Sequence, residues 1–284
     1  MLCLSLILLL SSSVQATDAE LTHGLSSPSE ALSTSTLIYV SDYFSFVGGD
    51  SDGRVAFALD NNRGRDGDAF QAEHFVALHD EQRGWIDVAG NGPYDNRKKE
   101  LSPIPDSATF QFEGTPEGGL TITSTTNQLT LRIDPIPQRS RRTEGQSIVW
   151  MGSAAATLTR GGRRVPGRVI YEYLILPDFN RLTRTYIGVW KEFQGLYLWL
   201  DGTGDVYLHS QSSERLAPLV GKLIGFAVFN EQTDEFRDLN VTVLERAFAV
   251  GFYRWPMAWR ITWQGNKGLG SMTLTLSERN GIAN

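Results

Sequence analysis

Between Ile148 and His209 the chain is a succession of short runs of branched and aromatic residues, each closed by Gly, Pro, Asp or Asn. Such runs, with turn signals about every ten residues, describe an antiparallel meander that curls into a barrel or sandwich. Its second half carries Tyr186, Trp190, Phe193, Tyr197 and Trp199 in close succession. This stretch is expected to hold the centre of one barrel and most of any ligand cavity.

The same grammar extends upstream. Leu37 to Val47 reads as a strand and Gly48 to Gly53 as a hairpin turn. Arg54 to Asp60 returns, with Val55, Phe57 and Leu59 on one face. Ala69 to Asp80 is a longer strand, in which Phe70, Ala72, His74, Val76 and Leu78 share a face. Between these two, Asp60 to Asp68 is the most polar segment of the chain and reads as a loop. It fails as an EF-hand: Arg65 stands where glycine is required and Gln71 where the closing glutamate should be. Short strands are expected again at 84–90, 108–113, 120–125 and 128–134. The prolines of Asp134 to Gln138 suggest a boundary, because proline cannot pair inside a sheet. Later strands are expected at 220–230, 239–250, 259–264 and 271–277, and no long amphipathic helix is evident. Gly53-Arg54-Val55 recurs faintly as Gly167-Arg168-Val169, which suits two related β units.

Met1 to Ala16 reads as a secretory signal peptide: an apolar run from Leu2 to Leu10, then small residues at Val14-Gln15-Ala16. That run is too short to span a bilayer as a helix, so the mature chain is expected to have no transmembrane segment. Residues 17–34, rich in Ser and Thr, form a flexible lead-in. The only cysteine, Cys3, lies in the leader, which leaves the mature chain without thiol or disulfide. An exported location, periplasmic or secreted, follows. The net charge of −6 gives no footprint for nucleic acid. The one basic cluster, Arg139, Arg141 and Arg142, sits in the proline-rich connection and reads as a solvated loop.

No nucleophile-elbow, zincin, Walker or dinucleotide-binding signature occurs. Four histidines, with His74 and His79 on opposite faces of one strand, give a metal site no support, and no cofactor is expected. The chemistry available is acid–base. Glu172, flanked at i±2 by Ile170 and Leu174, lies on an apolar face; burial there would keep it protonated and able to donate a proton. His74, among apolar neighbours, is the second candidate. Either could equally be a structural group with one hydrogen-bond partner. Tyr171 and Tyr173 beside Glu172, with Tyr186, Trp190, Tyr197 and Trp199, would suit the wall of an amphipathic pocket or a filled barrel core.

Three segments resemble a known family in order and spacing. They are Gly161-Gly162-Arg163-Arg164-Val165-Pro166-Gly167-Arg168-Val169-Ile170-Tyr171-Glu172, then Gly195-Leu196-Tyr197-Leu198-Trp199-Leu200-Asp201-Gly202, and Arg254-Trp255-Pro256-Met257-Ala258-Trp259-Arg260-Ile261. They are similar to elements of the lipocalin-like proteins that include carotenoid 1,2-hydratase (hydroxyneurosporene synthase) and the AttH-type proteins. The resemblance implies an all-β protein of two consecutive lipocalin-like antiparallel β-barrels. The expected units are 35–138 and 146–284, with a hydrophobic ligand held between or inside them. Hydratase-like members tend to carry Asp-His after the aromatic residue. Here Tyr171-Glu172-Tyr173 keeps an acid and lacks the histidine. Two functions follow: an exported binder of an isoprenoid or lipid-like molecule, or a hydratase or cyclase acting on one by carboxyl proton donation.

Overall fold

The computed structural model describes residues 37–136, 139–144, 147–177, 192–200, 204–212, 225–229, 232–236, 240–248, 254–265 and 268–275. Every regular element among them is a strand and every pairing is antiparallel. The all-β class expected from the sequence is the class observed. Among the described residues no helix is long and apolar enough to cross a membrane.

The first sheet has eleven strands. They are β1 (Leu37–Asp50), β2 (Gly53–Asp66), β3 (Ala69–Asp80), β4 (Gly84–Ile86), β5 (Gly92–Pro93), β6 (Gln111–Thr115), β7 (Gly119–Ser124), β8 (Leu129–Ile133), β9 (Arg139–Glu144), β10 (Ser147–Arg160) and β11 (Arg163–Pro177). Their order is β4-β3-β2-β1-β11-β10-β8-β7-β6, with β5 added to β3 and β9 to β10. Strands from both ends of this order contribute to one core. Phe57 and Leu78 on one side and Ile122 and Leu131 on the other belong to the same buried cluster as Phe44, Phe46 and Val169. A sheet whose two flanks share one interior is curled. The segment from Asp87 to Phe110 packs Val88, Leu101 and Phe110 into that interior.

The alternation of β1, β2 and β3 explains why they are strands. Ile38, Val40, Phe44 and Phe46 of β1, then Val55, Phe57 and Leu59 of β2, then Val76 and Leu78 of β3 all point inward. Where β1 crosses β11, Gly48 stands opposite Gly167. A Cβ on Gly167 would lie 2.3 Å from the Val47 carbonyl oxygen, and one on Gly48 2.4 Å from that of Pro166. The Phe46 ring covers both glycines, filling the space their missing side chains leave.

Three expectations are corrected here. Asp60 to Asp66 is not a loop but the second half of β2, paired with β1 and β3 along its whole length. A central strand can hold polar residues when their side chains find partners, as those of Asp60, Asn61, Asn62 and Arg63 do. The segment Arg139, Arg141, Arg142 is strand β9 on the edge of β10. The sheet also crosses the boundary expected between residues 138 and 146. β10 and β11, assigned to the second unit, pair with β8 and β1 of the first. Proline at 135 ends β8 without ending the domain, because long-range pairing decides membership of a sheet.

Beyond Pro177 three further ladders are described. They are β12 (Glu192–Leu200) with β13 (Gly204–Ser212), β14 (Gly225–Phe229) with β15 (Gln232–Phe236), and β16 (Asn240–Phe248), β17 (Arg254–Gly265) and β18 (Gly268–Thr275). β13 runs beside β14 and β15 beside β17, so the meander continues.

Candidate functional site

The hairpin turns β1–β2, β3–β4, β7–β8 and β10–β11 lie at one end of the curled sheet, where a cavity of about 430 Å3 opens. Val55 of β2, Leu78 of β3, Ile86 of β4, Leu158 of β10 and Val165 of β11 form its floor, all but Ile86 buried, and most of the surface it exposes is polar. These are the last apolar residues of their strands on the inward phase, so the cavity lies at the end of the interior. Its rim is charged, with Asp80, Arg83, Asp87, Arg160 and Arg163.

Arg163 organises that rim. Its Nε donates to Asp50 Oδ2 at 2.9 Å, its Nη1 to Asp80 Oδ2 at 2.8 Å and its Nη2 to the Gly53 carbonyl at 3.0 Å. One planar guanidinium thus ties three hairpins together. The bond and charge of Asp50 raise its pKa, and the reciprocal bond holds the Asp50 carboxyl below the usual range. Asp80 also accepts the backbone N–H of Gln82 at 2.9 Å, which shapes the β3–β4 turn.

Deeper in, the interior changes character. The inward phase of β2 continues past Leu59 as Asn61 and Arg63, and that of β1 places Asp42 beside them. Arg63 and Asp42 form an ion pair in which both side chains are at most 1% exposed. The Tyr171 hydroxyl donates to Asp42 Oδ1 at 2.6 Å. Arg63 Nη1 donates to Asn61 Oδ1 at 2.8 Å, as does the Tyr94 hydroxyl at 2.9 Å. Burial alone would lower the Arg63 pKa, but the charge and hydrogen bond of Asp42 outweigh it and raise the value. Taking both ions out of water is costly unless each remaining donor is met. Arg63 Nε is buried without a partner, and the buried Tyr173 hydroxyl has Ser102 as a neighbour without hydrogen-bond geometry.

His74 joins this cluster. Its Nε2 lies 3.5 Å from Asn61 Nδ2, and its ring meets Tyr94 edge-on at 4.1 Å and Phe110 at 5.2 Å. Burial, reinforced by the Arg63 charge, lowers its pKa to about 3. At neutral pH it is an uncharged ring and no imidazolium proton donor. The expectation of apolar neighbours is therefore half right: the ring is walled by aromatics but reports to a buried cation.

Glu172 stands apart. Tyr171 and Tyr173 face inward, so Glu172 between them faces outward, where it is buried in register with Tyr43. Burial raises the Tyr43 pKa to about 12, with the charges of Asp60 and Glu172 adding to it. On this outer face the Ser41 hydroxyl donates to Asp60 at 2.6 Å and the Tyr39 hydroxyl to Asn62. The structure therefore brings His74, Tyr171 and Tyr173 together around Asp42 and Arg63, and separates them from Glu172 by the thickness of the sheet. Tyr197 and Trp199 lie on β12, in register with Tyr207 and Asp205 of β13. Tyr186 and Trp190 lie outside the described residues.

No family model matches the chain, and no curated protein matches it. Among solved structures it is similar to a Nitrosomonas europaea protein provisionally named AttH. The identity is 13%, over 92% of this chain and 98% of that one, with a TM-score of 0.48.

Sequence reading missed Asp42, Asn61, Arg63 and Tyr94, and the rim arginines. The first group had a signal: Val55, Phe57, Leu59, Asn61 and Arg63 keep one phase of alternation. The rim had none, since Arg83 and Arg160 are brought together by the curl of the sheet.

Proposed function

We propose that the protein is an exported binder of a hydrophobic small molecule of isoprenoid or lipid-like class, taken into the mouth of the curled sheet. The observation that supports this is the cavity of about 430 Å3, floored by Val55, Leu78, Leu158 and Val165 beneath a lining of polar and charged groups that could hold a ligand's polar end. Its volume falls within the range of small-molecule sites, roughly 300–1,000 Å3. Burial of apolar ligand surface contributes roughly 25 cal/mol per Å2, enough for useful affinity over a few hundred Å2. Export belongs to the proposal through the apolar leader Met1 to Ala16, and its removal is checked by the intact mass of secreted protein. A second β unit made by the strands after Pro177 is likewise part of it.

A carrier is favoured over a hydratase or cyclase of the carotenoid type. Glu172 faces away from the interior and His74 is held neutral, so neither expected donor serves the cavity. The test is titration with an uncharged apolar fluorophore such as N-phenyl-1-naphthylamine. Saturable binding is expected, weakened about tenfold or more by Ile86→Trp, which fills the mouth from a half-buried position. Absence of saturable binding to the wild-type chain refutes the proposal; turnover of a polyene substrate would move it to the enzyme reading.

A further inference from the structure

We infer that the ligand held at this mouth carries an anionic head, a carboxylate or a phosphate, bound by Arg160 and Arg83. This inference rests on the binding proposal above and specifies its ligand.

Three guanidiniums reach the cavity, and they are not equivalent. Arg163 is committed: Asp50, Asp80 and the Gly53 carbonyl take its Nε and both terminal nitrogens. Among the described residues, neither Arg83 nor Arg160 has a carboxylate partner. The Nε of Arg160 is moreover buried from solvent without any hydrogen bond. An Arg side chain offers Nε–H and Nη–H as two parallel donors, the geometry that carboxylate and phosphate oxygens accept. A buried donor left unmet costs free energy, and a ligand acceptor would remove that cost if the Arg160 side chain turns its Nε, closed to solvent here, toward the cavity.

The acids of the rim fit this reading. Asp80 is held by Arg163 and by the backbone N–H groups of Gln82 and Arg83. Asp87 is left at the exposed edge of the cavity. The Arg163 network holds one arginine and two aspartates, so charge balances across the whole rim, but within that rim Arg83 and Arg160 are the cations left without a carboxylate partner among the described residues. Thr126, Asn127 and Gln128 complete the rim with neutral groups. A cationic head would meet two arginines; a neutral head would leave the Arg160 Nε with a weaker partner.

The experiment displaces N-phenyl-1-naphthylamine from the full chain with four probes of one tail: dodecanoic acid, dodecyl phosphate, dodecanol and dodecylamine. The acid, the phosphate or both should displace it about tenfold more effectively than the alcohol, as expected for charge-assisted bonds. Arg160→Gln should erase that preference, so that with this variant acid and phosphate displace the fluorophore no better than the alcohol does, and Arg83→Gln should reduce it. Arg160→Lys should keep part of it. The more effective of acid and phosphate names the head group. Equal displacement by alcohol, amine and anions, or a preference that survives Arg160→Gln, overturns the inference while leaving apolar binding in place. Failure of the fluorophore and all four probes to bind overturns both.

Discussion

Asn127 holds the backbone of Ala89 with both atoms of its side-chain amide. Its Oδ1 accepts the Ala89 N–H at 2.8 Å, and its Nδ2 donates to the Ala89 carbonyl at 2.9 Å. The turn between β7 and β8 is thereby fastened to the segment after β4, on the far flank of the curled sheet. Asn91 does the same on β3: the Val76 N–H donates to its Oδ1 at 2.7 Å and its Nδ2 donates to the Val76 carbonyl at 3.1 Å. Val76 lies between the short ladders made by β4 and β5, so the amide replaces a missing strand residue. Two asparagines thus satisfy backbone groups that an open edge would expose.

Asn127→Ala should cost about 1–2 kcal/mol, the loss of two partly exposed hydrogen bonds, read from urea unfolding. Amide exchange at Ala89 should accelerate while that of β1 core amides keeps its rank. Unchanged protection at Ala89 would show that the clasp does not hold the flank in solution.

The Asp42–Arg63 pair should behave as a buried unit. Asp42→Leu or Arg63→Met alone strands the other charge and should cost roughly 3–5 kcal/mol. The double variant should recover much of that loss, since it removes both desolvation costs. A double variant as unstable as the sum of the singles would contradict the coupling.

His74 sets the acid limb of stability. Its pKa is about 3 in the fold against about 6.5 in the unfolded chain, so the unfolded state binds the extra proton between those values. Its contribution is complete above pH ~6.5 and lost progressively down to pH ~3, at up to about 1.4 kcal/mol per pH unit. Asp50, depressed below its ordinary value, adds a loss of the same sign only at the acid end. His74→Gln should flatten the slope between pH ~6 and ~4; an unchanged slope would remove His74 as its source.

At the alkaline end the sign reverses. Burial raises Tyr43 and Tyr94 to about 12 and raises Tyr173 as well, while the unfolded chain ionises its tyrosines near pH ~10. Stability should fall as pH rises above ~10, because the folded state retains protons that the unfolded state gives up. Phenolate absorbance should show these tyrosines silent until the fold opens. Their ionisation at ordinary pH in folded protein would contradict the burial of the cluster.

Much of the architecture could be read in the sequence because it is local. The alternation of Val55, Phe57 and Leu59, and of Ala72, His74, Val76 and Leu78, needs only a two-residue period, and the β1–β2 turn carries its own glycines. What escaped reading depends on partners distant in the chain. Asn61 and Arg63 look like loop residues until Asp42 and Tyr94 are placed against them. Asp60 and Asn62 do too, until Ser41 and Tyr39 are. Pro135 looked like a domain end, yet the chain after it returns to β8 and β1. For Glu172 the flanking residues foretold burial correctly, but no local pattern says which face of a strand meets the interior.

The glycine pair under Phe46 carries a further consequence. At Gly48 and Gly167 two backbones approach so closely that no side chain fits, so the separation of β1 and β11 there is set by main-chain contact. The width of the nearby opening is then a property of the main chain, while its chemistry is written in side chains such as Arg83 and Arg160, which make none of these contacts. Aperture and selectivity are separately editable. A lineage of such proteins could exchange rim residues to follow a changing ligand without altering the size of the doorway, whereas a single methyl at either glycine would force β1 and β11 apart and leave every recognition residue in place.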